Sequence, residues 1–201
     1  MEIQKLRNTY NKIADAFTAR RDAHWNADYI QYLISVLPKG AMVLDLGCGP
    51  GIEAAQFAAA GLRVYGLDLS DEFIKIAQQK CPTGTFVQGD MHSLPYENSS
   101  FDLVFAQASL LHIPKEEMAD VIAEITRALK PGGLLHVALK KGEGEAEVAD
   151  TRYNEERFFS FWQMDEFQAI VAGFAYEIVK SEEYQRPGGQ TTWLKFVFKK
   201  L

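Results

Sequence analysis

Cysteine is scarce: only Cys48 and Cys81 occur in 201 residues. Two thiols make no disulfide framework and lack the paired spacing of a structural zinc site, so a reducing, cytoplasmic setting is expected. Histidine is also sparse. His24, His92 and His136 are scattered without ligand spacing, and no metal is expected. Nothing approaches the roughly 18 uncharged residues that a membrane span needs, so no membrane partner is expected. The N-terminal stretch mixes Lys5, Arg7, Asn8, Lys12 and Asp15 among its apolar residues and holds no signal-peptide core. Positive charge is in the minority, with 21 Lys plus Arg against 27 Asp plus Glu and a net charge of −6. Without a basic cluster to neutralise phosphates, nucleic acid is not an expected partner.

What is present suits one globular domain spanning 1–201: 47% of residues are hydrophobic and 24% charged, enough for a sizeable core. Oligomeric state is left open. Apolar runs of strand length alternate with helix-period segments, the pattern of βαβ units around a parallel sheet. Ala41 to Leu46, Leu62 to Leu67, Thr85 to Gln88, Phe101 to Ala106 and Leu134 to Leu139 read as strands. Gly51 to Ala60, Asp71 to Lys80 after the N-cap Ser70, and Pro114 to Leu129 read as helices between them. Residues 1–38 hold two further helices, Arg7 to Phe17 and one carrying Trp25, Tyr29, Ile30, Leu33, Ile34 and Leu37. Lys140 to Arg157 is polar and acidic and reads as an exposed loop, with 140–162 as a substrate-side loop or lid. Helix Met164 to Ala172 follows. Strands Tyr176 to Tyr184 and Thr191 to Lys199 then close a hairpin through Arg186-Pro187-Gly188-Gly189.

Chemistry concentrates in Val43-Leu44-Asp45-Leu46-Gly47-Cys48-Gly49-Pro50-Gly51, a buried strand running through three glycines into a helix. Such a turn lets backbone approach a ligand, and the helix N-terminus adds unpaired N–H donors. No Lys follows, which excludes a Walker-type phosphate loop. Ile52 stands where a dinucleotide fingerprint needs its last glycine, so NAD is only a runner-up. Asp45, just before the loop, suits a ligand with an ammonium group better than a pyrophosphate. Asp68 ends the second strand, where a carboxylate takes both ribose hydroxyls. Asp90 ends the third and is placed to accept from an adenine amino group. Three acids at successive strand ends form a line.

In these motifs the chain resembles the class I S-adenosylmethionine-dependent methyltransferases of the small single-domain type. The likeness is also carried by Gly66-Leu67-Asp68-Leu69-Ser70, Gly89-Asp90-Met91, Ser100-Phe101-Asp102-Leu103-Val104 and Leu129-Lys130-Pro131-Gly132-Gly133. The resemblance implies an α/β Rossmann-like, doubly wound sheet of seven strands, ordered 3-2-1-4-5-7-6 with strand 7 antiparallel and helices on both faces. It implies S-adenosylmethionine as cofactor and S-adenosylhomocysteine as product. Gly47, Cys48 and Gly49 would touch the methionine part through the backbone, with Asp45 near its ammonium. Asp68 would hold the ribose, Leu69 would pack on the adenine, and Asp90 with the Met91 amide would read its edge. Gln107 falls where the family's chain passes the reactive methyl, and Tyr10 matches an N-terminal helix that closes over the cofactor's carboxylate.

Transfer of a methyl from a cationic sulfur is an in-line displacement, so positioning and water exclusion dominate, and a base matters only if the acceptor must lose a proton. His112 is the candidate base; a histidine that merely caps or packs at the next helix is the alternative. Arg152, Tyr153 and Arg157 would suit an anionic acceptor, whereas Glu143, Glu145, Glu147 and Asp150 would suit a cationic one. Phe158, Phe159, Phe161 and Trp162 read as core or as a pocket for a ring-bearing acceptor. Gln107-Ala108-Ser109-Leu110 lacks the Asn/Asp-Pro-Pro-aromatic turn of nucleic-acid amino methylators, and Cys81-Pro82 reverses the cytosine-C5 motif. A small-molecule acceptor is therefore expected, with a protein or RNA methyltransferase and a non-catalytic cofactor-binding module as alternatives.

Overall fold

A computed structural model describes residues 3–21 and 26–201; His24 and Trp25 lie outside the described residues. The chain runs α1 (Ile3–Arg20), α2 (Ala27–Val36), β1 (Met42–Leu46), α3 (Ile52–Ala59), β2 (Arg63–Asp68), α4 (Asp71–Lys80) and β3 (Thr85–Gln88). It continues through β4 (Phe101–Gln107), a 3₁₀ turn (Leu110–His112), α5 (Met118–Ala128) and β5 (Leu129–Lys140). The hairpin β6 (Glu145–Asp150) and β7 (Glu155–Ser160), then α6 (Met164–Val171), β8 (Tyr176–Gln185) and β9 (Thr192–Lys200), complete it. Seven strands form one sheet in the order β3-β2-β1-β4-β5-β9-β8, and only β9 runs against its neighbours. Counted without the separate β6–β7 pair, this is the expected 3-2-1-4-5-7-6 order.

Side-chain alternation divides the core. Val43, Val64, Leu103 and Phe105 face a cluster with Ile30, Leu33, Phe57 and Ala77 of α2, α3 and α4. Leu44, Val104, Leu135 and Val137 face Val121, Ile122 and Ile125 of α5 and Phe167 of α6. A sheet buried on both faces needs near-continuous apolar strands, which is how β1 and β4 read. Each buried Leu, Ile or Phe contributes roughly 1.5–3 kcal/mol. After β1 the chain winds toward β3, whereas β4 starts on the other side of β1; ligands bind in the crevice that this reversal opens at the strands' carboxyl ends.

Three local expectations are corrected. The helix expected from Pro114 begins at Met118, because Glu117 N–H bonds Pro114 O and Met118 N–H bonds Lys115 O, a tighter turn before the α pattern starts. Pairing in β5 begins at Leu129 rather than Leu134. The register shift beside Pro131-Gly132-Gly133, with Gly132 at φ +75°, absorbs the irregularity as a bulge. The 140–157 stretch is largely a hairpin: Glu145–Asp150 pairs antiparallel with Glu155–Ser160. Lys5 of α1 pairs with Glu147 at 2.5 Å, and Lys12 pairs with Glu155, so the hairpin lies along α1. Among the described residues no helix is long and apolar enough to cross a membrane.

Candidate active site

A cleft opens at the carboxyl ends of β1, β2 and β4 and is roofed by α1. Its floor is the glycine loop. Gly47 N–H and Cys48 N–H both donate to Leu67 O, at 2.7 and 3.1 Å, which pins the loop to β2 and leaves carbonyls rather than these amides for a ligand. Gly47 has φ +73°, and a Cβ there would fall 2.3 Å from Ser109 Cβ. Gly49 has φ +49°, and a Cβ would meet nothing within 4 Å, so the backbone is bare at this point of the cleft lining.

Asp68 is nearly buried, and its carboxylate accepts from Gly49 N–H and Ser70 N–H, both at 2.8 Å. Burial pushes its pKa up to about 6, against the pull of these backbone donors. Asp45 is 3% exposed, and its Oδ2 has no hydrogen-bond partner. Burial, then the nearby Glu53 charge, raises its pKa well above the usual carboxylate range. Asp90 lies at the rim, where its Oδ1 accepts from His92 N–H at 3.0 Å and lies 2.7 Å from His92 Nδ1. All three acids line the one cleft, as do Leu69 and Met91.

Tyr10 and His112 meet in the wall below α1. His112 Nδ1 lies 2.7 Å from Phe158 O, which only accepts, so Nδ1 carries the proton and Nε2 accepts from Tyr10 O–H at 2.6 Å. Arg157 Nη1 donates to the Tyr10 oxygen at 3.1 Å. Burial pushes the His112 pKa down to about 3, and the Arg157 and Lys140 charges add to this. His112 is thus neutral and weakly basic, with its accepting nitrogen covered. Gln107 is buried at the end of β4, and its Oε1 lies 2.8 Å from His136 Nε2 while its Nε2 has no partner.

Residues of the hairpin have partners within the chain. Arg152 and Arg157 both pair with Asp150, Glu145 accepts from Lys115 N–H, and Glu147 pairs with Lys5. The Arg152 hydrogen bonds hold the Asp150 carboxyl down at about 2, although burial opposes them. Phe159 and Trp162 are buried core, and none of Phe158, Phe159, Phe161 and Trp162 lines the cleft. Sequence reasoning missed Glu53, Arg21 and Ser109. Glu53 is buried in the first turn of α3 and pairs with Arg21 at 2.5 Å; an acid on the otherwise apolar face of Ile52–Ala59 was the available signal. Among the described residues no three His, Cys, Asp or Glu side chains converge as a metal site.

The sequence pattern of the methyltransferase domain family matches residues 44–137. An uncharacterized methyltransferase of Synechocystis is 37% identical over 95 residues, 47% of this chain and 45% of that protein. A demethylmenaquinone methyltransferase of Renibacterium salmoninarum is 37% identical over 99 residues, 49% of this chain and 41% of that protein. The match thus spans less than half the length of these curated relatives. In fold, the Burkholderia thailandensis 1,6-didemethyltoxoflavin-N1-methyltransferase, solved with bound 1,6-didemethyltoxoflavin and S-adenosylhomocysteine, superposes with a TM-score of 0.81 at 22% identity. That superposition covers 98% of this chain and 88% of the other. Sheet order, glycine loop and relatives together make the chain similar to the class I S-adenosylmethionine-dependent methyltransferases.

Proposed function

We propose that this chain transfers the methyl group of S-adenosylmethionine to a small-molecule acceptor by in-line displacement. The observation that carries the reading is the line of Asp45, Asp68 and Asp90 along one cleft, with Asp45 Oδ2 buried and lacking a partner. An orphaned buried carboxylate oxygen calls for a cation, and an α-ammonium supplies one. The bare backbone at Gly49 leaves room for the amino-acid chain. When bound, the cofactor supplies a methyl on a cationic sulfur with a good leaving group.

The chain's residues then bind and orient. Asp45 holds the ammonium, Arg21 lies in the same cleft as a cation for the carboxylate, and Asp68 accepts from the ribose hydroxyls. Leu69 packs on the adenine, while Asp90 and the Met91 amide take its edge. Gly47, Cys48 and Gly49 offer backbone to the methionine part, Gln107 stands beside the methyl, and Tyr10 on α1 roofs the site and excludes water. His112 takes the acceptor's proton through Tyr10. Its weak basicity fits an acceptor whose proton leaves late, after the new bond has made it acidic.

A small acceptor is favoured because α1 roofs the cleft, while Arg152 and Arg157 lie outside its lining and are both tied to Asp150. The names of the quinone- and toxoflavin-methylating relatives agree. Calorimetric titration tests the site: S-adenosylhomocysteine binds the wild type, and Asp68→Ala abolishes most of that binding. Unchanged affinity in Asp68→Ala removes the assignment.

A further inference from the structure

Gln107 and His136 form a buried pair behind the cleft whose hydrogen bonding has one self-consistent solution. His136 of β5 is fully buried between the rings of Phe105 and Tyr29, with centroids 4.7 and 4.9 Å away. Its Nδ1 lies 3.0 Å from the Phe196 carbonyl oxygen of the adjacent strand β9. A carbonyl only accepts, so Nδ1 carries a proton. A second proton is disfavoured, because burial and the Lys195 and Lys180 charges push this ring's pKa down to about 3. The ring is neutral, and Nε2 is an acceptor.

The partner of Nε2, 2.8 Å away, is the Gln107 amide. With the amide oxygen toward the ring, two acceptors face each other and the amide NH₂ is buried without a partner. A half-turn about the terminal bond of the side chain removes both faults, since the two ends of an amide have nearly the same shape. The NH₂ then donates to His136 Nε2, and the oxygen takes the outward position. We infer that His136 holds Gln107 with its carbonyl oxygen toward the cleft, as an acceptor for a ligand ammonium or amine N–H.

Two neighbours point to the same ligand chemistry. Asp45 Oδ2, at the end of the adjacent strand β1, and Ser109 Oγ, which packs on Gly47, are both buried without a hydrogen-bond partner. A carboxylate, a hydroxyl and an amide oxygen lining one cleft provide several acceptors for a multi-donor cation. An outward NH₂ would repel that cation. The cation is either the cofactor's α-ammonium, which rests on the proposed function, or an amine on the methyl acceptor. His136 is a positioning residue and acts only through Gln107.

Nitrogen-15 labelling of histidine, with His136→Phe to assign the signals, reads the tautomer of the ligand-free protein. A neutral, Nδ1-protonated ring between about pH 5.5 and 8 is expected; an Nε2-protonated ring or an imidazolium overturns the inference. Binding identifies the ligand. S-adenosylhomocysteine and its analogue lacking the α-amino group are titrated into wild type, Gln107→Leu and His136→Phe, and ethylammonium into the S-adenosylhomocysteine-loaded proteins. Both variants are expected to lose about tenfold or more on one ammonium-bearing probe, and nothing on the deamino analogue. Loss on S-adenosylhomocysteine assigns the oxygen to the cofactor, and loss on ethylammonium assigns it to the acceptor. Unchanged binding of both probes, or an equal loss on the deamino analogue, overturns the inference. Should the wild type bind no S-adenosylhomocysteine, the proposed function fails, and the tautomer still decides the orientation of Gln107.

Discussion

Replacing Asp68 by Asn sets binding against stability in a way that pH separates. Burial raises the carboxyl pKa from 3.8 to about 6 despite the donors Gly49 N–H and Ser70 N–H. A raised folded-state pKa means that the folded protein binds this proton more tightly than the unfolded chain does. The favourable contribution is full below about pH 4 and is lost as pH rises through 6. At 1.36 kcal/mol per tenfold, the difference is ~3 kcal/mol. Asn carries no titrating group, so Asp68→Asn should gain up to ~3 kcal/mol on wild type between about pH 3 and 7, whatever fixed cost its altered hydrogen bonds impose. Urea unfolding of both proteins across that range measures the difference directly. S-adenosylhomocysteine affinity should fall about tenfold or more at pH 7.5, because one charge-assisted acceptor is lost. A stability difference that stays flat with pH would refute the buried, proton-retaining carboxylate.

Five other substitutions read the same site. Asp45→Asn should weaken S-adenosylhomocysteine about tenfold but leave its deamino analogue unaffected, as titration calorimetry would show. Gly47→Ala places a Cβ 2.3 Å from Ser109 Cβ and should lower thermal stability by several kcal/mol. Gly49→Ala has open space and should cost only about 1–2 kcal/mol, while its methyl obstructs cofactor binding. Tyr10→Phe strips the donor from His112 Nε2 and should cost roughly 1–3 kcal/mol, with faster amide exchange in α1. Because His112 is held near 3, the rate–pH profile should show no step at the usual histidine pKa, and His112→Ala should lower the rate evenly from about pH 5.5 to 8.

Strands β1 to β4 are legible because each is a short apolar run bounded by turn residues, and α4 because Ser70 accepts from Phe73 N–H as a capping residue should. The start of α5 is not, since a proline suits both a helix's first position and the turn that precedes one here. The β6–β7 hairpin is hidden for a different reason: its partners are Lys5 and Lys12, more than a hundred residues earlier in the chain, and local periodicity carries no trace of them. In the site, Asp45, Asp68 and Asp90 stand out because acids recur at strand ends. Arg21 and Glu53 acquire meaning only once the residue after α1 meets the first turn of α3. The burial of His136 behind Gln107 depends on the packing of β5 against β9.

Methyl transfer is read from the product it forms. Wild type and Asp68→Ala are incubated with isotope-labelled S-adenosylmethionine and a metabolite extract, and products are read by mass spectrometry. The expected product is a small molecule heavier by one labelled methyl group, formed by the wild type and lost in Asp68→Ala. Label found only in protein or RNA would contradict the small-molecule acceptor, and no transferred label despite tight cofactor binding would contradict catalysis itself.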